Sequence, residues 1–387
     1  MIDRRSFLKS SSLILAGSTI SIKSFASKKT EDKSKISLEW RNKQSDMAYR
    51  QLGKTGFMVS EFVNGGDPVS TKNYHMVEAA MERGLNYLDM APAYGRGECE
   101  KGYKLIIDSP SKREKVFMTT KISGFTGVRN SMYREIFESL PEGKKEKIRK
   151  KMAEMRYARG VDIPGYYLTY WPGQDRSMDG SYLSNAMVED YGHLVDGSKA
   201  FKDNIKESLQ GSLERTGQKY FDILMCPHGA NCPEEVQIPE IYETLDELKK
   251  EGLVRYLGVS THNDPAGVVK AATATGKYDV VMCAYNIING GYMHDAIRSA
   301  KEAGLGVIGM KVAMAVATHH KAIQPIPQWR IDKVNQIVPG DMKPPMKAYL
   351  WALQNPNISA VISNLWDEKY VEENLSLAGE KVELQPG

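Results

Sequence analysis

No stretch of the 387 residues holds about 18 consecutive apolar side chains, the length a helix needs to cross a bilayer. Cysteine is scarce. Cys99, Cys226, Cys232 and Cys283 are too few and too scattered for a disulfide framework, and they lack the C-x-x-C spacing of a zinc or iron–sulfur site. No G-x-G-x-x-G follows the first strand-like stretch, so the usual sign of a doubly wound dinucleotide fold is missing. An excess of one charge is missing too: 52 Lys and Arg face 48 Asp and Glu, which gives nucleic-acid binding no support. What remains, 41% hydrophobic and 26% charged, is ordinary for a globular protein.

The first residues do not read as fold. Arg4-Arg5 precedes Phe7-Leu8-Lys9, a weakly apolar stretch runs through Leu13-Ile14-Leu15, and Ser24-Phe25-Ala26 supplies small residues. That order describes a signal peptide over 1–26, and the paired arginines resemble a twin-arginine export signal to the periplasm. A basic, disordered tail is the alternative. Its removal leaves 48 basic against 47 acidic side chains, a charge of +1. Residues 27–46 are polar and read as a linker. Export permits oxidation of one pair, Cys226 with Cys232, although buried free thiols are the expected state.

From Tyr49 the pattern becomes regular. Tyr49–Leu52 and Phe57–Ser60 read as a hairpin around Gly53 and Gly56. Eight short strands follow, each trailed by a helical pattern: 61–66, 86–90, 115–121, 221–226, 254–260, 279–285, 306–311 and 359–363. This tally predicts a closed (β/α)8 TIM barrel over residues 47–380. One interval breaks the rhythm. The 79 residues from 122 to 200 far exceed an ordinary β-to-α loop. Leaving the C-terminal end of a strand, this insertion is expected over the active-site face. Its basic part, Lys144 to Lys151, reads as a solvated amphipathic helix. Tyr166, Tyr167, Tyr170, Trp171, Tyr182 and Tyr191 serve either as packing for a lid or as rings that stack on a sugar or aromatic substrate.

Asp89 ends its strand, Pro92 blocks continuation, and Tyr94-Gly95 opens the next turn. Alone, this reads equally as a helix-capping aspartate beside a surface tyrosine. Two further strand ends carry titratable groups. Lys121 ends the third strand and His228 lies just past the fourth, so a barrel gathers Asp89, Tyr94, Lys121 and His228 at one end. The set suits carbonyl reduction, given a hydride source. A phenol donates the proton, an ammonium lowers the phenol's pKa, a carboxylate holds the ammonium, and an imidazole polarises the carbonyl.

The chain resembles the aldo-keto reductase family over about residues 48–378. The matching text is Tyr49-Arg50-Gln51-Leu52-Gly53-Lys54-Thr55-Gly56, Glu82–Asp89 with Ala91-Pro92-Ala93-Tyr94-Gly95, Thr119-Thr120-Lys121, Ser212-Leu213-Glu214-Arg215, and Lys249–Ser260. The resemblance implies a nicotinamide-dependent oxidoreductase acting on a small molecule. Tyr94 is then general acid/base, Asp89 and Lys121 its tuning pair, and His228 the carbonyl orienter. It also implies NADP or NAD across the barrel mouth, contacted by Gly66, Ser260, Tyr285, Lys311, Glu373 and Asn374, with Tyr285 stacking on the nicotinamide. Several positions depart from the family pattern: Thr261 and Met282 replace an asparagine and a glutamine, Val312–Val316 has no glycine, and Ser363-Asn364 replaces Pro-Gly. Trp366 stands where an arginine often grips the 2′-phosphate, which leaves NAD against NADP open. An exported enzyme implies a tightly held cofactor or an unknown redox partner. Two other readings stand beside this one: a non-catalytic ligand-binding barrel, and a carbohydrate-active enzyme that uses a retained nicotinamide for transient oxidation.

Overall fold

Strand-then-helix units dictate the architecture. The computed structural model describes residues 36–318 and 325–386. The signal-peptide segment 1–26 therefore lies outside the described residues, as does the expected linker up to residue 35. From Ile36 that linker is folded. In chain order come β1 (Glu39–Trp40), β2 (Tyr49–Gln51), β3 (Phe57–Ser60), β4 (Phe62–Gly65), α1 (His75–Glu82), β5 (Tyr87–Asp89), α2 (Glu98–Ile106), α3 (Pro110–Arg113) and β6 (Phe117–Lys121). The insertion supplies α4 (Phe125–Ser139), α5 (Glu142–Arg159) and α6 (Gln174–Tyr191). Then follow α7 (Ser198–Thr216), β7 (Phe221–Met225), α8 (Pro239–Lys250), β8 (Val254–Thr261), α9 (Pro265–Thr275), β9 (Val280–Ala284), α10 (Gly290–Glu302) and β10 (Gly306–Met310). The chain ends with α11 (Gln328–Ile337), α12 (Pro344–Leu353), β11 (Ala360–Ser363) and α13 (Glu368–Leu375).

Eight parallel strands close a barrel in the order β10-β11-β4-β5-β6-β7-β8-β9, the expected (β/α)8 fold. Side chains alternate along each strand. One set, Val63, Tyr87, Phe117, Ile223, Met225, Val280, Met282, Ile308 and Met310, fills the barrel. The other set packs outward on the helices. Alternation then puts Asp89 on the same side as Tyr87, and Lys121 on the same side as Phe117. Both face inward at the C-terminal end, so strand geometry alone brings acid and amine together.

A three-stranded sheet, β1-β3-β2, closes the opposite end and sends Leu52, Phe57 and Val59 into the barrel's interior cluster. Gly53 is required there: its φ is +53° and a Cβ would lie 2.2 Å from the Gly306 nitrogen. β1 sits within the expected linker, and its Glu39 and the following Arg41 join a buried ion network. The Asp222 carboxylate takes hydrogen bonds from Arg113 and Arg255, each at 2.8 Å, with Arg41 at 3.2 Å, and Arg255 also binds Glu39 at 2.6 Å. In the insertion, α4, α5 and α6 share a small core of Tyr133, Phe137, Ile148, Ala186 and Met187. The basic α5 is amphipathic as expected. Ile148 is buried, whereas Arg149, Lys150 and Lys151 pair with Glu142, Glu154 and Glu189. No helix among the described residues is long and apolar enough to cross a membrane, and the four cysteines are buried free thiols.

Candidate active site

The strand tips of β5, β6 and β7 meet above the packed interior. Lys121 Nζ donates to Asp89 Oδ1 at 2.5 Å, to the Met90 carbonyl at 3.2 Å and to Tyr94 Oη at 3.1 Å. Both charged groups are almost fully buried, at 1% and 2% exposure. Such a pair persists only when its geometry and hydrogen bonds repay desolvation, and here all three ammonium protons have acceptors. Tyr94 sits in the one-turn helix Tyr94–Gly97, and its ring meets the His228 ring edge to face at 5.7 Å. His228 follows the cis peptide Cys226–Pro227, and its Nδ1 lies 2.9 Å from Ser123 Oγ. The four groups expected together are together.

Electrostatics correct one expectation. From the sequence alone Lys121 is expected to lower the phenol's pKa, but the net shift is upward. Loss of water pushes the Tyr94 phenol well above its ordinary value, and the carboxylates of Asp89 and Asp67 add to the effect. Burial likewise raises the Asp89 carboxyl, against the pull of Lys121. Burial lowers the His228 imidazole well below its usual range, and Lys121 and Lys311 lower it further. The resting site thus holds a protonated phenol and a neutral imidazole.

A cavity of ≈370 Å³ starts at Asp89 and Tyr94 and runs over the ends of β4, β10 and β11 to α13. Gly66, Lys311, Glu373 and Asn374, all expected cofactor contacts, line it. Gly66 has no room for a side chain, since a Cβ would lie 2.3 Å from the Asp89 carbonyl oxygen. Lys343 and Lys369 add ammonium groups, Lys343 bonding Glu373, and Ser363 Oγ accepts from Asn374 Nδ2 at 2.8 Å. Three lysines and several amides in one elongated cavity suit a long anionic ligand with a polar heterocycle.

Two expected contacts stand elsewhere. Ser260 is buried at the end of β8, where its Oγ accepts from the Gly229 N–H at 2.9 Å, and it does not line the cavity. Tyr285 is also absent from the lining. Its ring turns outward, stacks on Trp351 at 4.8 Å, and its hydroxyl accepts from Asn355 Nδ2 at 3.1 Å. Because Tyr285 lies one residue beyond β9, strand alternation no longer fixes its direction. Met310 and Lys311, at the tip of β10, line the cavity instead.

His262, not among the residues expected at the site, lines the cavity with Asp89 and Tyr94. It lies just past the tip of β8, and the rule that found His228 past β7 also finds it. The insertion reaches it through Tyr170 and Trp171, whose rings lie 6.2 and 4.8 Å from the imidazole. Gln174 fixes this part of the insertion by donating to Asn263 Oδ1 at 2.7 Å, Tyr170 Oη accepts from Asn286 at 2.9 Å, and Tyr166 bonds Asp264.

Comparison with known proteins agrees with the barrel fold. An aldo-keto reductase of Fusarium vanettenii is 26% identical over 67% of this chain and 62% of its own length. L-galactose dehydrogenase of Arabidopsis thaliana is 26% identical over 49% of this chain and 62% of its own. The chain therefore spans about three fifths of these curated relatives. The holo form of an aldo-keto reductase from Bacillus halodurans shares the fold, with a TM-score of 0.56 and 18% identity, across 87% of this chain and 92% of that one. The sequence profile of the aldo/keto reductase family matches residues 63–197 and 187–385, and this chain belongs to that family.

Proposed function

We propose that the chain is a nicotinamide-dependent oxidoreductase that interconverts a carbonyl and an alcohol on a small molecule, with Tyr94 as proton donor. One observation carries the reading: a buried ammonium bridges Asp89 and Tyr94 where a long, lysine-lined cavity meets the barrel mouth. A nicotinamide dinucleotide fits that donor set and, when bound, supplies the hydride. Lys311, Lys343 and Lys369 would hold its phosphates, and Asn374 with Ser363 its base. The chain's own groups handle the proton. Tyr94 Oη and His228 converge on one carbonyl oxygen, where neutral His228 polarises the bond and the phenol gives up its proton as the alkoxide forms. The phenolate left behind is stabilised by Lys121 Nζ at 3.1 Å.

The name of the Arabidopsis relative and the aromatic insertion make sugars the first substrates to try. The Arg4-Arg5 leader supports export with the cofactor already bound, because the twin-arginine route carries folded proteins. Tyr94→Phe is expected to abolish turnover while leaving ligand binding nearly unchanged. Equal activity in that variant removes the acid role. Native mass spectrometry of the purified protein is expected to show a co-purifying dinucleotide. Protein that carries none and binds neither NAD(H) nor NADP(H) by calorimetry overturns the cofactor assignment.

A further inference from the structure

His262 is a polar side chain of the barrel mouth that the carbonyl chemistry leaves unused. Its imidazole lines the cavity beside Asp89 and Tyr94, yet among the described residues neither ring nitrogen takes part in a hydrogen bond. What fixes it is apolar. Trp171 meets it edge to face at 4.8 Å and Tyr170 at 6.2 Å, and both rings come from the insertion. The insertion is itself anchored through Gln174 to Asn263, the next residue, so ring and clamp move together. A polar ring held in one pose by aromatic neighbours, with its own hydrogen bonds unmade, is prepared for a ligand group.

We propose that His262, held by the Trp171 ring at 4.8 Å, is a specificity-determining contact for a hydroxyl on the carbon chain next to the substrate carbonyl. The substrate class is then an aldose-like hydroxy-carbonyl compound. Burial, with Lys311, His228 and Lys121 nearby, keeps this imidazole neutral. A neutral imidazole has one donor and one acceptor, which matches a hydroxyl and mismatches a carboxylate. The inference rests on the carbonyl chemistry proposed above.

The experiment compares kcat/KM for glyceraldehyde and propanal, which differ in two hydroxyls. The wild-type protein is expected to prefer glyceraldehyde by about tenfold, the net worth of one hydrogen bond. In His262→Phe, which keeps a ring against Trp171 and Tyr170, the ratio is expected to fall to within about threefold of unity. In His262→Gln, which restores a donor and an acceptor, part of the preference is expected to return. A wild type indifferent to the hydroxyls, a preference that survives His262→Phe, or no recovery in His262→Gln each overturns the proposal. If the wild type reduces neither aldehyde, the carbonyl reading fails, and saturation-transfer NMR with the unreactive amides decides this inference separately. Binding of 2,3-dihydroxypropanamide over propanamide, lost in His262→Phe, sustains the contact. Equal binding of the two amides, or selectivity retained in the variant, removes it.

Discussion

The hydroxyl of Ser123 lies 2.9 Å from Nδ1 of His228. Ser123 stands two residues beyond Lys121, at the root of the insertion, so one chain segment carries both the amine beneath Tyr94 and the partner of the imidazole. When the serine hydroxyl donates to Nδ1, the ring's only proton sits on Nε2, the nitrogen free to donate to a carbonyl oxygen. Ser123→Ala is expected to leave the fold intact and lower kcat by about tenfold, the scale seen when a histidine loses an orienting partner. Ser123→Thr is expected to regain most of that loss. Nitrogen-15 spectra of the labelled imidazole provide a check independent of turnover. The wild type should show the Nε2–H tautomer and Ser123→Ala a mixture, and an unchanged spectrum in the variant would deny the serine this role.

The pH dependence follows from the same burial. The Tyr94 phenol is pushed well above its ordinary 10.0, and the His228 imidazole well below its ordinary 6.5. Reduction needs the phenol protonated and the imidazole neutral, and both hold throughout that interval. The rate of reduction is therefore expected to stay level from pH 6.5 to 10. The reverse oxidation needs the phenolate, whose fraction grows with each step up in pH, so its rate should climb across the interval with a slope near one on a logarithmic plot. Steady-state profiles in both directions test this. A reduction profile that bends near pH 7 or 8 would mean that Lys121 acidifies the phenol after all.

Much of this molecule is legible in the order of its residues. The eight strands announce themselves because glycine closes the helix before several of them and short apolar runs form them. Their tips hold Asp89, Lys121 and, just beyond, His228, so the barrel assembles the set without further information. Direction is lost once a residue leaves a strand. Tyr285 and His262 both sit at or past strand ends, and only the packing of Trp351 and Trp171 decides which one turns toward the mouth. Polar sequence also misleads where its partners are far away in the chain. Glu39 and Arg41 read as solvated linker because Asp222 and Arg255, which bury them, lie about 180 and 210 positions later. The shift at Tyr94 was invisible for a similar reason, since burial is a property of the assembled barrel.

Tyr285 gives a direct contrast between resemblance and geometry. Family likeness puts its ring on the nicotinamide, whereas here it stacks on Trp351 with its hydroxyl at Asn355. Tyr285→Phe is therefore expected to change the dissociation constant for NAD(H) or NADP(H) by less than about twofold. The same change removes a largely buried hydrogen bond and should lower stability by about 1 kcal/mol. Calorimetric titration and urea unfolding read the two effects separately. A tenfold loss of cofactor affinity with unchanged stability would restore the stacking role.

Asp222 is fully buried, and Arg41, Arg113 and Arg255 surround it, while the Met118 N–H donates to it at 2.9 Å. Asp222→Asn keeps the shape but leaves three guanidinium groups without their shared charge, and is expected to cost about 3–5 kcal/mol, as other broken buried pairs do. Glu39 sits nearer the surface. Burial raises its carboxyl, but the hydrogen bond from Arg255 and the charge of Arg41 outweigh that and leave it below its ordinary 4.5. A depressed carboxyl stabilises the fold above the unfolded value and loses that contribution as pH falls through the folded value. Stability should therefore drop below about pH 4.5, and Glu39→Gln should flatten the drop while lowering stability at pH 7. Chemical denaturation of both proteins from pH 3 to 7 tests the sign. Parallel curves would show that β1 is held by its backbone pairing with β3 and that the ions contribute nothing.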